Sequence, residues 1–153
     1  MTGMEIERSA RVLLVEDNRG DAMLTCRAFK RAQRVRHIVV AETGEKGLSI
    51  LRREDGFDDA DRPDIILLDL NLPGIGGHDF LSEVKSDPAL RCIPIIVLSS
   101  SSARADVVGS YNRHANGYIT KPVTIDAYDG IVAKIEDYWF QLMQLPADEA
   151  EYH

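Results

Sequence analysis

A chain of 153 residues, 44% hydrophobic and 28% charged, is long enough to bury one core without disulfides and too ordinary in composition for a fibre or a disordered tail. Its formal charge of −7 repels phosphate backbones and no Lys/Arg-rich stripe offsets it, which argues against nucleic acid and for a protein partner. No apolar run approaches the roughly 20 residues that cross a bilayer, and residues 1–10 lack a signal-peptide core, so no membrane role and a cytoplasmic setting are expected. The two cysteines, Cys26 and Cys92, are far apart with no CxxC pairing, and read as buried, reduced thiols.

Residues 1–9 read as an N-terminal arm. An apolar strand follows over 11–15, then a helix over 21–33 with Met23, Leu24, Ala28 and Ala32 at helical spacing. A second strand spans 37–41. The next helix covers 43–53, with Thr43 as its cap and Leu48 and Leu51 facing inward. The acidic stretch 54–61 has no apolar period and reads as a solvated loop. After a strand at 64–68 comes a helix over 77–86 that buries Phe80, Leu81 and Val84; Asp87-Pro88 ends it, because the residue before proline avoids helical geometry. A strand at 93–98, a helix starting after Ser102 and a strand at 117–120 follow. The last helix runs from residue 124 to about 145, with Tyr128, Ile131, Val132, Ile135, Tyr138, Trp139 and Leu142 along one stripe. One domain over 10–145 is expected, and the polar tail 146–153 is too short for an effector domain.

Short β-branched runs alternating with amphipathic helices predict an α/β fold, a doubly wound five-stranded parallel sheet flanked by five helices. In such a sheet, polar residues just past the carboxyl ends of the strands converge on one edge, where ligands bind. Glu16 and Asp17 follow the first strand, Asp69 the third, Ser99 the fourth and Lys121 the fifth. Singly, each is an ordinary cap or solvated group. Together, three mutually repelling carboxylates call for a cation, and an oxygen-only donor set suits Mg²⁺, with Mn²⁺ or Ca²⁺ as substitutes. Tyr138, Trp139, Phe140 and Met143 put large apolar groups around more than one helical face, since successive residues differ by about 100°. That surplus predicts a homodimer through the last two helices and the final strand.

The motifs LLVEDN, LLDLNLPGIGG, IVLSS and GYITKP, in this order over about residues 10–140, resemble the receiver domain of two-component response regulators. The resemblance implies a flavodoxin-like sheet of strand order 2-1-3-4-5. It makes Asp69 the phosphoacceptor, Glu16 and Asp17 the acidic pair, Ser99 the switch hydroxyl, Tyr118 the switch aromatic and Lys121 the lysine that meets the phosphoryl group. A sensor histidine kinase becomes the implied partner. An ionised Asp69 is already a nucleophile, so the protein need only position the phosphoryl group and neutralise its charge. Asp17, Asp69 and the backbone carbonyl of Asn71 would hold the metal, with Glu16 one water away. Pro122 suggests a cis Lys121–Pro122 peptide that aims the lysine. On phosphorylation, Ser99 would turn to a phosphoryl oxygen and Tyr118 would fill the vacated space, changing the surface of the last strands and helices. Gly74, Gly76 and Gly77 suit a tight, mobile turn beside the site. Glu16 stands where Asp is frequent in the family, and Ser99 where Thr is frequent.

Haloacid-dehalogenase-type phosphatases share an aspartyl-phosphate chemistry, but place an acid two residues after the nucleophile, where this chain has Asn71. A receiver that scaffolds a partner without phosphorylation is the other alternative. More narrowly, LLVEDNxxD, the enlarged acidic loop, the serines after the fourth strand and the aromatic-rich last helix look like the phytochrome-associated response regulators, which implies a bacteriophytochrome as kinase.

Overall fold

The computed structural model describes residues 10–32 and 35–142. Strands β1 (Ala10–Val15), β2 (Val35–Ala41), β3 (Ile65–Leu68), β4 (Ile95–Ser99) and β5 (Gly117–Thr120) alternate with helices α1 (Arg19–Ala32), α2 (Gly44–Arg52), α3 (Gly77–Ser86), α4 (Arg104–Asn112) and α5 (Ile125–Ile135). The five strands lie parallel in the order β2-β1-β3-β4-β5, as the sequence resemblance implies. The order reverses at β1, so the crevice past the strands' carboxyl ends opens between β1 and β3.

Alternation along the strands divides the core in two. Leu13, Val15, Ile66, Leu68, Ile95 and Val97 face α2 and α3, where Leu48, Leu51, Phe80, Leu81 and Val84 cover them. Val12, Leu14, Ile65, Leu67 and Ile96 face α1 and α5, under Phe29, Tyr128, Val132 and Ile135. Both faces of β3 are buried, which is why its sequence is a continuous apolar run with no alternation. Thr43 caps α2 by accepting from the Lys46 N–H at 3.0 Å, and α3 has the bounds its sequence predicts.

Three expectations need correction. The stretch 54–61 is not simply solvated: Phe57 and Ala60 pack on the core. Left-handed Arg53 and Asp55, with φ of 55° and 53°, turn the chain back, while Ser49 Oγ donates to Asp55 at 2.8 Å and Arg53 Nε to the Ala60 carbonyl at 3.0 Å. The last helix is α-helical only to Ile135; a π-helical segment, Glu136–Leu142, continues it. Its wider i→i+5 turn breaks the single stripe: Trp139 packs on the core, Tyr138 stays half exposed, and the two rings meet edge to face with centroids 5.4 Å apart. The side chain of Phe140 and all of Met143 lie outside the described residues. Neither cysteine is fully buried: both are free thiols, Cys26 half-buried and Cys92 exposed, because Cys92 falls in the turn before β4 and not on the strand. Burial pushes the Cys26 thiol up, against the pull of Lys30.

Candidate functional site

Four of the five strands hand chemically active residues to the crevice, two from β1 and one each from β3, β4 and β5, and the sheet ladder fixes the backbone of three of them. The Glu16 N–H donates to the Ala41 carbonyl at 2.9 Å, that of Asp69 to Val15 at 3.0 Å and that of Lys121 to Ser99 at 2.7 Å. These bonds extend the parallel pairing past the ends of β1, β3 and β5, so the side chains project from a rigid edge. Asn18 caps α1 by accepting from the Asp21 N–H at 2.9 Å, which stands the first turn of α1 beside the same crevice.

Lys121 Nζ lies 2.7 Å from Glu16 Oε1, 2.7 Å from Asp21 Oδ2 and 3.0 Å from Asp69 Oδ2. Glu16, Asp69 and Lys121 are almost wholly enclosed, with side chains 2%, 5% and 6% exposed. Burial on its own lowers an ammonium's pKa, but here the hydrogen bonds to Asp21, Glu16 and Asp69 outweigh it and hold Lys121 above its ordinary value. For Glu16, burial and the neighbouring Asp69 carboxylate win over Lys121, pushing the acid up to about 8. Asp21 is the residue that sequence reasoning missed. The motif LLVEDNxxD ends on it, but an acid in the first turn of a helix is ordinarily a partner for the helix dipole and no more.

Glu16, Asp17 and Asp69 each bring one carboxylate oxygen within 4.8 Å of the others, Asp17 from the exposed side. With Asp21, four acidic side chains gather at the single ammonium of Lys121, so acids are in excess even while Glu16 holds a proton. An all-oxygen, strongly anionic set open to solvent on one side fits a hard divalent cation. The Asn71 N–H donates to Asp69 Oδ1 at 3.1 Å, leaving Oδ2 toward Lys121.

Ser99 and Tyr118 meet on Ser101. The buried Ser99 Oγ accepts from the Ser101 N–H at 3.3 Å, and the half-buried Tyr118 hydroxyl donates to the Ser101 carbonyl at 2.7 Å. Ser101 Oγ donates to Asp106 Oδ2 at 2.6 Å, and Ser110 Oγ to the Asp106 carbonyl at 2.8 Å. With its one hydrogen committed there, Ser110 accepts from His78, whose Nε2 lies 3.3 Å away and therefore carries the proton. The expectation for Pro122 is overturned. The described backbone contains no cis peptide, so the Lys121–Pro122 bond has the trans form that X–Pro pairs favour by about 0.5–1 kcal/mol, and Lys121 reaches its carboxylates without the bend.

The turn after β3 is pinned. A Cβ on Gly77 would stand 2.4 Å from Leu70 Cα and 2.8 Å from the Asp69 carbonyl oxygen. Only glycine lets the first turn of α3 lie this close to the backbone that carries Asp69, where the Gly77 N–H donates to the Leu70 carbonyl at 3.1 Å. Glu45 of α2 braces the same turn by accepting from the Ile75 N–H at 3.1 Å.

A parallel sheet of this order, with acids past β1 and β3, a hydroxyl at β4 and a lysine past β5, defines the receivers of two-component signalling. The response regulator receiver domain family matches residues 12–133, and the chain belongs to it. Response regulator Rcp1 of Synechocystis sp. is 35% identical over 136 residues, which cover 89% of this chain and 92% of that protein. The Mn²⁺-bound form of response regulator Rcp1 superposes with a TM-score of 0.83 at 34% identity, over 90% of this chain and 99% of that one. The phosphorylated cyanobacterial phytochrome response regulator RcpA gives a TM-score of 0.87 at 39% identity, covering 92% of this chain and all (100%) of that one. A probable methanogenesis regulatory protein, FilR2 of Methanothrix harundinacea, is 38% identical over 136 residues, 89% of this chain and 87% of that protein. The chain is thus a response regulator of two-component systems, with a site for a divalent metal and a histidine kinase as its partner class. Among the described residues no helix is long and apolar enough to cross a membrane.

Proposed function

We propose that Asp69 accepts the phosphoryl group of a phosphohistidine on a sensor histidine kinase, with Mg²⁺ as the metal. One observation carries the reading: the buried Asp69 carboxylate lies within 4.8 Å of oxygens of the acidic pair, Glu16 and Asp17, and 3.0 Å from the ammonium of Lys121. A carboxylate oxygen of Asp69 bonds to phosphorus as the bond from phosphorus to the imidazole nitrogen breaks, and the imidazole keeps the electron pair. No general base is needed, since a carboxylate attacks without giving up a proton. Asp17, Asp69 and the Asn71 carbonyl would hold Mg²⁺, with Glu16 one water away, and the ion when bound would neutralise charge on the phosphoryl oxygens. Lys121 donates to one phosphoryl oxygen, and the Ser99 hydroxyl turns to another, giving up its bond from Ser101. Because Tyr118 and Asp106 both bind Ser101, that movement reaches β5 and α4. The chain serves as a phosphoacceptor in the cytoplasm and not as an enzyme turning over an external substrate.

The likeness to RcpA supports a kinase of the phytochrome type, a bacteriophytochrome included. Exposed Val108, Tyr111, Val123, Ile125 and Tyr138 on α4, the turn after β5, α5 and its extension support a homodimer through this face. Phosphotransfer from a labelled histidine kinase tests the central claim: wild type takes the label, Asp69→Asn does not, and label surviving that substitution refutes Asp69 as acceptor. Sedimentation at micromolar concentration, with and without a phosphoryl mimic, tests the dimer; a monomer under both conditions refutes it.

A further inference from the structure

An ammonium has three N–H donors and no more. Those of Lys121 face three different carboxylates, Glu16, Asp21 and Asp69, at 2.7, 2.7 and 3.0 Å, and the side chain is only 6% exposed. The lysine is thus engaged by two hydrogen bonds, to Asp21 and Asp69, and by a close ion pair with Glu16, and it reaches a phosphoryl oxygen by releasing one of the three. Chemistry selects which. When a carboxylate oxygen of Asp69 bonds to phosphorus, Asp69 loses its charge and the phosphoryl oxygens bring new charge beside it, so the Asp69 contact, already the longest, is the one to exchange.

Of the two contacts that remain, Glu16 also belongs to the group of oxygens that suits a cation, whereas Asp21 does not. Asp21 is also fixed from its own backbone. Its N–H donates to the Asn18 side chain at 2.9 Å, its carbonyl accepts from Thr25 Oγ1 at 3.0 Å, and the phenol of the buried Tyr128 on α5 stands beside its carboxylate. We propose that Asp21 is a positioning residue for phosphoryl transfer: it holds Lys121 Nζ as a pivot, so that the ammonium turns from Asp69 to a phosphoryl oxygen without leaving the crevice. The inference rests on the reading of Asp69 as acceptor and adds a fourth acid to the site, one that touches neither metal nor phosphoryl group.

The test uses the full chain with acetyl phosphate and Mg²⁺, in which Asp69 takes the phosphoryl group as the P–O bond breaks and acetate leaves with the electron pair. Mass spectrometry follows the phosphorylated fraction of wild type, Asp21→Asn, Asp21→Glu and Asp69→Asn. Asp21→Asn keeps the side chain's shape but removes its charge; it is expected to phosphorylate at least about tenfold more slowly, since an ångström of misplacement costs up to about 100-fold. Asp21→Glu is expected to recover part of the rate. The ¹⁵N side-chain resonance of Lys121 provides a readout that mere folding does not move. It is expected to be sharp and slow to exchange in wild type, and broadened in Asp21→Asn at an unchanged melting temperature. Wild-type rate in Asp21→Asn with no phosphorylation of Asp69→Asn overturns the pivot and leaves the acceptor standing. An unaltered Lys121 resonance in Asp21→Asn also overturns the pivot, and phosphorylation of Asp69→Asn overturns both readings.

Discussion

Gly77 shows how much of the site depends on one absent side chain. A methyl group there would press on backbone, at Leu70 Cα and the Asp69 carbonyl, and backbone cannot swing aside as a side chain can. Gly77→Ala is expected to cost about 1–3 kcal/mol in urea unfolding and to slow phosphorylation by displacing Asp69. Gly76→Ala next to it, where a Cβ meets nothing within 4 Å, is expected to cost under about 1 kcal/mol as a helix-cap change. Lys85 carries a pH dependence. Its ammonium donates to the carbonyls of Arg91 and Ile93 and to Asn116 Oδ1, but burial pushes it down from 10.5 to about 8. The folded state thus binds this proton less tightly than the unfolded chain does. The penalty is complete below about pH 8 and is relieved as pH rises toward 10.5, so this residue makes stability climb across that window. Chemical denaturation of wild type against Lys85→Gln should show the difference moving in favour of wild type between those limits, and a flat difference would contradict the assignment. Residues such as Asp69 and Lys121 were legible because strand ends are readable and polar groups there are conspicuous. Asp21 was not, since a first-turn acid looks ordinary until tertiary structure brings Lys121 to it.

The helices differ in what holds them. α3 buries Phe80, Leu81 and Val84, and its length was fully legible because an apolar stripe fills it and Pro88 follows its end. α4 buries only Ser110, so a sequence pattern built on hydrophobic spacing could name its start and no inward face. In place of apolar packing it has the bonds from Ser101 to Asp106 and from His78 to Ser110. A net hydrogen bond contributes only about 0.5–1.5 kcal/mol, so α4 should be the most readily opened of the helices. Amide hydrogen exchange is expected to show α4 protected less than α3, and Ser101→Ala should lower protection in α4 further while leaving α3 unchanged. Equal protection of the two helices in wild type would refute this. The weak attachment fits the proposed route of output, because an element held by a few polar contacts is the one a rearranged Ser101 can move. The π-helical extension after α5 was beyond reach for a related reason. Helical periodicity in the sequence does not reveal where the winding widens.

At the scale of the molecule, strand order and the gathering of acids at one edge follow from the alternation of apolar strands and helices together with the family motifs, and both were legible. The energetic consequence was not, because it depends on how far the ammonium of Lys121 offsets the acids that surround it. Four carboxylates against that one ammonium leave the crevice under like-charge repulsion that folding must overcome, and a divalent cation removes most of it. Since the unfolded chain scatters these acids, the ion binds the folded state in preference, and stability rises with its concentration. At 100 times its dissociation constant the gain is about 2.7 kcal/mol. A thermal melt in Mg²⁺ should therefore lie above one in EDTA. Asp17 gives the sharpest control: it is the exposed member of the trio and does not touch Lys121 in any of the three ion pairs that lysine makes. Asp17→Asn should leave the melt in EDTA unchanged or slightly higher, because repulsion falls, while abolishing most of the Mg²⁺ gain. If the ion raised the melting temperature equally in both proteins, it would be acting elsewhere on this acidic molecule, and the carboxylate edge would not be its site.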